Sequence, residues 1–208
     1  GLFRVPGFGQ LLWAVGAVPL QRRSDHQGKA VDNESAFVAC RKVLVGGGVL
    51  AIFPEGKTHS RLRIEPLKTG TVRIALDAVK TKPDLGLRII PVGITYLARH
   101  AFLSDVHIAV GAPIDVSEAA RKYADKEATE VVRHLTSELE VELKALAVHV
   151  ESKEDERLIA QITSIISGIR TDEGLDQGGQ SPAERTALVQ RIIDAYRWET
   201  ERDPKSVM

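Results

Sequence analysis

Apolar residues in the first half of the chain alternate between continuous runs and helical spacings. The run at 49–53 is entirely apolar and is followed at once by Pro54, as in a buried parallel strand. Apolar positions at 72, 75, 76 and 79 recur with helical spacing and predict a helix over 71–80. Two further apolar runs predict strands at 88–94 and 106–110. This order predicts an α/β fold with a mixed, largely parallel sheet flanked by helices.

Shorter elements are predicted before residue 49. Residues 8–15 suit a short helix, and residues 17–20 suit a short strand. Asn33 is a suitable N-cap for a following helix, which is predicted to end at the three glycines 46–48. Cys40 lies on the apolar face of that helix, so we expect a buried thiol and not a catalytic one.

The second half of the chain has the pattern of a helical segment. Asp115 and Glu118 resemble a capping box, and apolar residues then recur every three or four positions, which predicts one long helix. Further helices are predicted at about 154–169 and from Ser181 onwards. The stretch 171–182 between them is rich in Gly, Asp and Gln, so it is the best candidate for a linker. We therefore expect an α/β domain over 1–115 and a helical extension over 116–208.

Composition narrows the possible function classes only slightly. The 28 Lys and Arg residues balance the 28 Asp and Glu residues, so no overall charge indicates nucleic-acid binding. A single cysteine excludes an internal disulfide and fits a reducing compartment. No stretch reaches the roughly 18 consecutive apolar residues of a membrane span, because the segment 8–20 is too short and contains Gly and Pro.

The loop after the apolar run at 49–53 carries most of the candidate chemistry. Ligands of α/β sheets bind beyond the carboxyl ends of strands, and this position holds a carboxylate at Glu55 and donors at Lys57, Thr58 and His59. Over residues 53–73, five basic and two acidic side chains give a net charge of +3 in a chain whose total is zero. A local positive cleft suits a phosphate-bearing substrate, whereas the alternative is an ordinary solvated loop.

Several segments resemble motifs of the glycerolipid (PlsC-type) acyltransferase family, in the family's order. Phe-Pro-Glu-Gly at 53–56 is similar to its third motif, and Gly-Ala-Val-Pro-Leu-Gln-Arg at 16–22 is similar to its second. Ile-Pro-Val-Gly at 90–93 resembles the fourth motif, and Gly-Ala-Pro-Ile at 111–114 resembles a strand-ending turn of the family. The form over 53–70 is most like the subgroup that acylates glycerol 3-phosphate or dihydroxyacetone phosphate. The resemblance covers about residues 1–115 and implies the PlsC-type acyltransferase fold.

The resemblance implies the transfer of a fatty acyl group in phospholipid biosynthesis. The donor would be a thioester of coenzyme A or acyl carrier protein, the acceptor a phosphorylated glycerol, and no cofactor or metal is implied. Arg22 would hold the acceptor phosphate by two parallel hydrogen bonds. Glu55 and Gly56 resemble the acceptor-binding pair, and Lys68 would add positive charge or be an ordinary solvated lysine. Pro91 belongs to the motif thought to line the acyl site. The residues implied in substrate binding are Arg22, Phe53, Pro54, Glu55, Gly56, Lys57, Thr58, His59, Lys68 and Pro91.

The family's first motif, Asn-His-x-x-x-x-Asp, is expected before Arg22, and this sequence does not contain it. In the family its His removes the proton of the acceptor hydroxyl and its Asp orients the imidazole. One His-x-x-x-x-Asp occurs, from His100 to Asp105, but it follows the fourth motif and lacks the Asn, so we interpret it as accidental. We therefore expect an inactive fragment of an O-acyltransferase. The alternatives are a non-catalytic lipid- or phosphate-binding module of the same fold, and an enzyme with a lysophospholipid acceptor.

Membrane association is implied by the family, because its donor and product are lipids. Apolar residues between 2 and 13 beside Arg4 suit an interfacial helix, and the same stripe also suits a buried core. We expect the cytoplasmic face of a membrane, with peripheral binding or an anchor outside this chain, and no nucleic-acid partner.

Overall fold

The computed structural model describes residues 5–19, 33–59, 61–96, 106–150, 152–172 and 181–202. Helices dominate these residues, and the strands are short. The helices are α1 (Phe8–Ala14), α2 (Glu34–Val45), α3 (Gly70–Thr81), α4 (Val116–Lys122), α5 (Ala128–Leu146), α6 (Lys153–Asp172) and α7 (Pro182–Arg202), with a 3-10 turn at Pro83–Leu85. The strands are β1 (Arg88–Ile89), β2 (Val92–Tyr96), β3 (Val106–Val110) and β4 (Ile114–Asp115). Helices together with strands confirm the mixed α/β class.

The chain forms two compact units that are interleaved in sequence. Unit 1 contains Gly1–Gly56, Leu67–Ile89 and Ile114–Thr136. Unit 2 contains Lys57–Pro66, Ile90–Pro113 and Ser137–Met208. The division at residue 115 into a domain and a helical extension stays a prediction.

The core of unit 1 lies between α2 and α3. Both helices place small and branched apolar side chains at helical spacing on the facing sides, which is the pattern expected for a packed helix pair. Its buried members are Cys40, Leu44, Ile74 and Ala78. Cys40 is buried as predicted, and this burial raises the pKa of its thiol.

The segment 49–53 does not form the predicted buried strand. It has no strand partner among the described residues, and Val49 and Phe53 are 93% and 79% exposed. Leu50 and Ile52, in contrast, pack against the α2–α3 core. Only alternate side chains are therefore buried, because one face of the segment lies on the helices and the other face is uncovered. Residues 17–19, predicted as part of a strand, are also outside any strand, and Leu20 lies beyond the described residues.

The described strands pair in two antiparallel ladders. In unit 1, β1 pairs with β4 through Ile89 and Ile114. In unit 2, β2 pairs with β3, with Ile94 opposite Ile108. The single strand predicted at 88–94 is interrupted at Ile90 and Pro91, because proline has no N–H to donate to a ladder. A largely parallel sheet is not found among the described residues and stays a prediction.

The predicted long helix after Asp115 is two helices. The Asp115 carboxylate accepts a hydrogen bond of 2.8 Å from the Glu118 N–H, as the capping pattern predicted, but α4 ends at Lys122. This bond, with the nearby charge of Arg88, holds the pKa of Asp115 below its usual value. The long amphipathic helix is α5, which begins at Ala128. The prediction was therefore right about the cap and wrong about the helix that it opens.

Helices α6 and α7 form the core of unit 2 together with the segment after α5. Its buried members are Val148, Val150, Ile159, Ile192 and Ile193, with Leu62 packed against them. The helix predicted at about 154–169 is α6. The predicted linker at 171–182 overlaps the end of α6 and the start of α7, and residues 173–180 lie outside the description. Among the described residues, no helix is long and apolar enough to cross a membrane.

Candidate functional site

The structure describes nine of the ten predicted binding residues. Arg22 lies outside the described residues, as do both ends of the rejected pair, His100 and Asp105. The remaining residues fall in three places, which are the turn at 53–56 with Lys68, the basic loop at 57–66, and the start of β2. The first of these places lies in unit 1, and the other two lie in unit 2.

In unit 1, the motif turn and Lys68 are held against each other. The Lys68 N–H donates a 2.8 Å hydrogen bond to the Pro54 carbonyl, and the Gly56 N–H donates to the Phe53 carbonyl at 3.3 Å. Gly56 has φ of +68°, in the left-handed region that only glycine adopts without cost. A Cβ at Gly56 would lie 3.3 Å from Lys68 Cγ, so the lysine stem passes directly beside the glycine. The structure thus brings Gly56 and Lys68 together as neighbours.

The Lys68 side chain leaves this turn just before helix α3, which begins at Gly70. Lys68 is exposed, whereas Pro54 and Glu55 are half-buried. The start of a helix carries a partial positive charge, and a lysine two positions before α3 adds to it, so this end of α3 favours anions. Phe53, which begins the motif, presents its ring to solvent.

In unit 2, the basic loop 57–66 contains a network of ion pairs around Glu65. Lys57 Nζ lies 2.9 Å from Glu65 Oε2, and Arg63 Nε lies 3.5 Å from Glu65 Oε1. The Lys57 hydrogen bond is the largest cause that lowers the pKa of Glu65, and the charges of Lys57 and Arg63 add to it. Glu65 thus pairs with two of the five cations of the segment 53–73, and the net charge of +3, which already counts Glu65, is unchanged.

His59 stabilises the same loop through its ring. The Arg61 N–H donates to His59 Nδ1 at 3.3 Å, which leaves Nε2 as the position for the ring proton. His59 is half-buried, and its neighbour Thr58 is exposed. The interpretation of His59 as a binding residue and not a base stays a prediction.

Pro91 and Gly93, in the fourth motif, are packed inside unit 2. Pro91 is among the most completely buried residues of the chain, and its carbonyl accepts a 2.9 Å hydrogen bond from the Gly111 N–H. A Cβ at Gly93 would lie 2.5 Å from the Leu146 carbonyl oxygen at the end of α5. The glycine of this motif is therefore required for the close approach of a strand to a helix end. The role of Pro91 in lining an acyl site stays a prediction.

Two residues of the helical segment contact the basic loop, although little in the sequence indicates this contact. His149 Nδ1 accepts a 2.8 Å hydrogen bond from the Ile64 N–H, and Glu156 Oε1 accepts one of 3.0 Å from the Leu62 N–H. The feature of the sequence that could have predicted this contact is the apolar Leu62 between Arg61 and Arg63, a pattern that indicates a loop with one buried side. In the described part of the chain, no group of three His, Cys, Asp or Glu side chains is placed to hold a metal ion.

Comparison with known proteins finds similarity to acyltransferases. A family model described as Acyltransferase matches residues 1–95. The chain is 33% identical over 104 residues to an uncharacterized acyltransferase of Schizosaccharomyces pombe, a match that covers 50% of this chain and 15% of the relative. It is 30% identical over 120 residues to glycerol-3-phosphate O-acyltransferase 1 of Saccharomyces cerevisiae, covering 57% and 16%. It is 35% identical over 86 residues to glycerol-3-phosphate O-acyltransferase 2 of the same yeast, covering 41% and 12%.

These matches confirm the family resemblance of the sequence motifs. The matched segments make up only 12–16% of the lengths of these relatives. No solved structure is significantly similar to the chain.

Proposed function

We propose, since the model of the acyltransferase family matches residues 1–95 of this chain, that the natural protein containing it transfers a fatty acyl group to glycerol 3-phosphate. The similarity to two relatives named glycerol-3-phosphate O-acyltransferases is the observation that carries this proposal. The geometry supports it, because Lys68 lies beside Gly56 of the Phe-Pro-Glu-Gly turn and provides a cation close to a helix start. The acylated product would be used in glycerolipid synthesis.

The proposed reaction joins the acceptor hydroxyl oxygen to the carbonyl carbon of an acyl thioester. The carbon–sulfur bond breaks, and the hydroxyl proton passes by way of a general base to the departing thiolate. The chain's proposed part is to bind the acceptor phosphate through Arg22 and Lys68. We assign the general base to no residue of this sequence. The donor thioester is a substrate, carried by coenzyme A or acyl carrier protein.

One assay tests both the identity of the acceptor and the activity of the 208-residue chain. The natural protein that contains this sequence and the 208-residue chain are assayed with a radiolabelled acyl thioester and each of three acceptors. We expect the natural protein to prefer glycerol 3-phosphate to dihydroxyacetone phosphate and 1-acylglycerol 3-phosphate, and the chain alone to be inactive. A natural protein that binds the acceptor without turnover would be a non-catalytic module, and a preference for the lysophospholipid would replace the proposed acceptor.

The role of Arg22 predicts a selective effect on the acceptor. We expect Arg22→Ala in the natural protein to raise the KM for glycerol 3-phosphate about 10- to 100-fold, because a charged hydrogen-bond donor is lost. The KM for the acyl donor should change less than about twofold, since the phosphate is not part of the donor's acyl group. Initial rates with each substrate varied in turn measure both constants.

Arg23→Ala is the matched control for this experiment. It removes the same charge one position away and should leave both KM values close to those of the unchanged protein. Equal increases of the two KM values in Arg22→Ala would exclude a phosphate-binding role for Arg22.

We further propose that α1 binds a membrane surface. Phe8, Leu11 and Trp13 are 43%, 56% and 60% exposed, so this short helix presents several large apolar side chains to its surroundings. Trp and Phe are favoured at the boundary between head groups and acyl chains. The exposure favours the interfacial interpretation of this stripe over a buried core.

Tryptophan fluorescence tests the membrane proposal. In a Trp198→Phe background, Trp13 is the remaining tryptophan, and we expect its emission to shift to shorter wavelength when vesicles of phosphatidylcholine and phosphatidylglycerol are added. The chain with Trp13→Phe, which retains Trp198, is the control and should show no such shift. If neither the emission of Trp13 nor sedimentation of the chain responds to vesicles, α1 is not a membrane-binding helix.

A further inference from the structure

The backbone of the basic loop 57–66 is fixed by residues that follow it by about ninety positions. The Leu62 N–H donates to Glu156 Oε1 at 3.0 Å, and the Leu62 carbonyl accepts from the Val150 N–H at 2.7 Å. The Ile64 N–H donates to His149 Nδ1 at 2.8 Å. Both polar backbone groups of Leu62 are thus bonded to the segment around α6. These bonds belong to unit 2 and are not part of any ladder.

The same contact is reinforced by apolar packing. Leu62 lies against the core formed by α6, α7 and the residues after α5, which includes Val150 and Ile159. His149 is itself buried, with 5% of its surface exposed. A buried hydrogen bond to a backbone N–H is costly to remove, because the N–H then has no partner and no water. The loop is therefore fixed at Leu62 and Ile64, the two apolar positions that alternate with its arginines.

The residues between and beside these fixed points are the cations of the loop. Arg61 and Arg63 flank Leu62, and Arg63 and Lys57 pair with Glu65. All of these side chains extend from a stretch of backbone that the hydrogen bonds to His149 and Glu156 hold in place. If that backbone is released, the positions of the cations and of their carboxylate partner change together.

We propose that His149 and Glu156 are positioning residues that fix the cations of the basic loop for the phosphate of the acceptor. The inference rests on the proposed function, since it takes the acceptor of that reaction to carry a phosphate. It gives the segment around α6 a role in acceptor binding, in addition to packing. Both residues would act through the backbone of the loop, so their removal should affect the acceptor KM more than the turnover number.

Matched variants at each position separate the hydrogen bond from the volume of the side chain. His149→Asn keeps an acceptor oxygen near the position of Nδ1, whereas His149→Leu keeps the bulk and removes the acceptor. Glu156→Gln keeps the acceptor oxygen and removes the charge, whereas Glu156→Leu removes both. Glu156 is half-buried, so its variants fold even where a change at His149 does not.

The first readout is independent of activity and uses the 208-residue chain. In His149→Leu we expect the amide hydrogen of Ile64 to exchange at least about tenfold faster, and in Glu156→Leu we expect the same of Leu62. His149→Asn and Glu156→Gln should retain slow exchange. Unchanged exchange in both leucine variants would show that these hydrogen bonds do not fix the loop, and would overturn the inference.

The second readout is kinetic and uses the natural protein. We expect each leucine variant to raise the acceptor KM about 5- to 10-fold with a turnover number within about twofold, and the Asn and Gln variants to restore the KM. Equal losses for the leucine and the conservative variants, or a fall in turnover without a KM change, would overturn the positioning role. If the unchanged protein does not acylate glycerol 3-phosphate at all, the proposed function fails, and calorimetric binding of glycerol 3-phosphate by the unchanged protein and the leucine variants decides the positioning role separately.

Discussion

Replacing Gly93 by alanine is expected to lower the free energy of unfolding by about 3 kcal/mol, which is among the larger costs of overpacking. The new Cβ would lie 2.5 Å from the Leu146 carbonyl oxygen and 2.6 Å from its carbonyl carbon. These are backbone atoms at the end of α5, so neither a rotamer change nor a small shift of one side chain relieves the overlap. Either β2 or the helix end must move. Thermal unfolding followed by circular dichroism should show a midpoint lower by roughly 10 °C.

Gly111→Ala is the matched control for this change. A Cβ at Gly111 would lie 2.7 Å from Leu146 Cδ1, which is the far end of a flexible side chain. In a Leu146→Ala background the penalty of Gly111→Ala should therefore disappear, while that of Gly93→Ala should persist because its overlap includes the backbone. Equal midpoints for Gly93→Ala and Gly111→Ala would contradict the close approach of β2 to α5.

Replacing Gly56 by alanine is expected to reduce kcat/KM for the acceptor about 10- to 100-fold in the natural protein. The backbone of Gly56 has φ of +68°, a conformation that costs an L-residue about 1–2 kcal/mol. Its Cβ would also lie 3.3 Å from Lys68 Cγ, so the aliphatic part of the lysine side chain would have to shift. Both effects move Lys68 relative to the motif turn, so the loss should appear in the acceptor KM. Kinetics with glycerol 3-phosphate varied at saturating donor measure it.

Gly86→Ala separates the backbone cost from the displacement of Lys68. Gly86 has φ of +59°, and a Cβ there would meet no atom within 4 Å. Gly86→Ala should therefore lose a similar amount of stability while the acceptor KM stays the same. An acceptor KM that rises equally in both variants would show that general destabilisation, and not the position of Lys68, causes the effect.

The helices were predictable from the sequence because their signals are local. The cap at Asp115 and the apolar spacing of 71–80 are set by residues within a few positions of each other. The run at 49–53 misled the prediction for the opposite reason. A continuous apolar run shows that a segment prefers burial, but strand pairing depends on partners elsewhere in the chain. Of this run, Leu50 and Ile52 pack against other described residues of the core, and those residues lie in the helices α2 and α3.

The residues of the candidate site likewise fall into those that local sequence predicts and those that it does not. The residues of the motif turn were recognisable because Phe-Pro-Glu-Gly is a short contiguous pattern, and Lys68 follows it closely. The ion pairs of Lys57 and Arg63 with Glu65 could be anticipated from their proximity in sequence, and the net charge of the segment already counts Glu65. His149 and Glu156 could not be found in this way. They lie 85 and 94 positions from the backbone groups that they bind, and nothing in their own sequence context marks them.

The hydrogen bonds that fix the basic loop also determine when it can become ordered during synthesis. Leu62 and Ile64 emerge from the ribosome long before Glu156 and His149 exist, since 94 and 85 positions separate the partners. At translation rates of roughly 5–20 residues per second, the loop waits on the order of 5–20 s for its acceptors. For that interval its apolar Leu62 is without the core on which it packs. The basic loop of the nascent chain therefore becomes ordered well after its own synthesis, because its hydrogen-bond acceptors are made later.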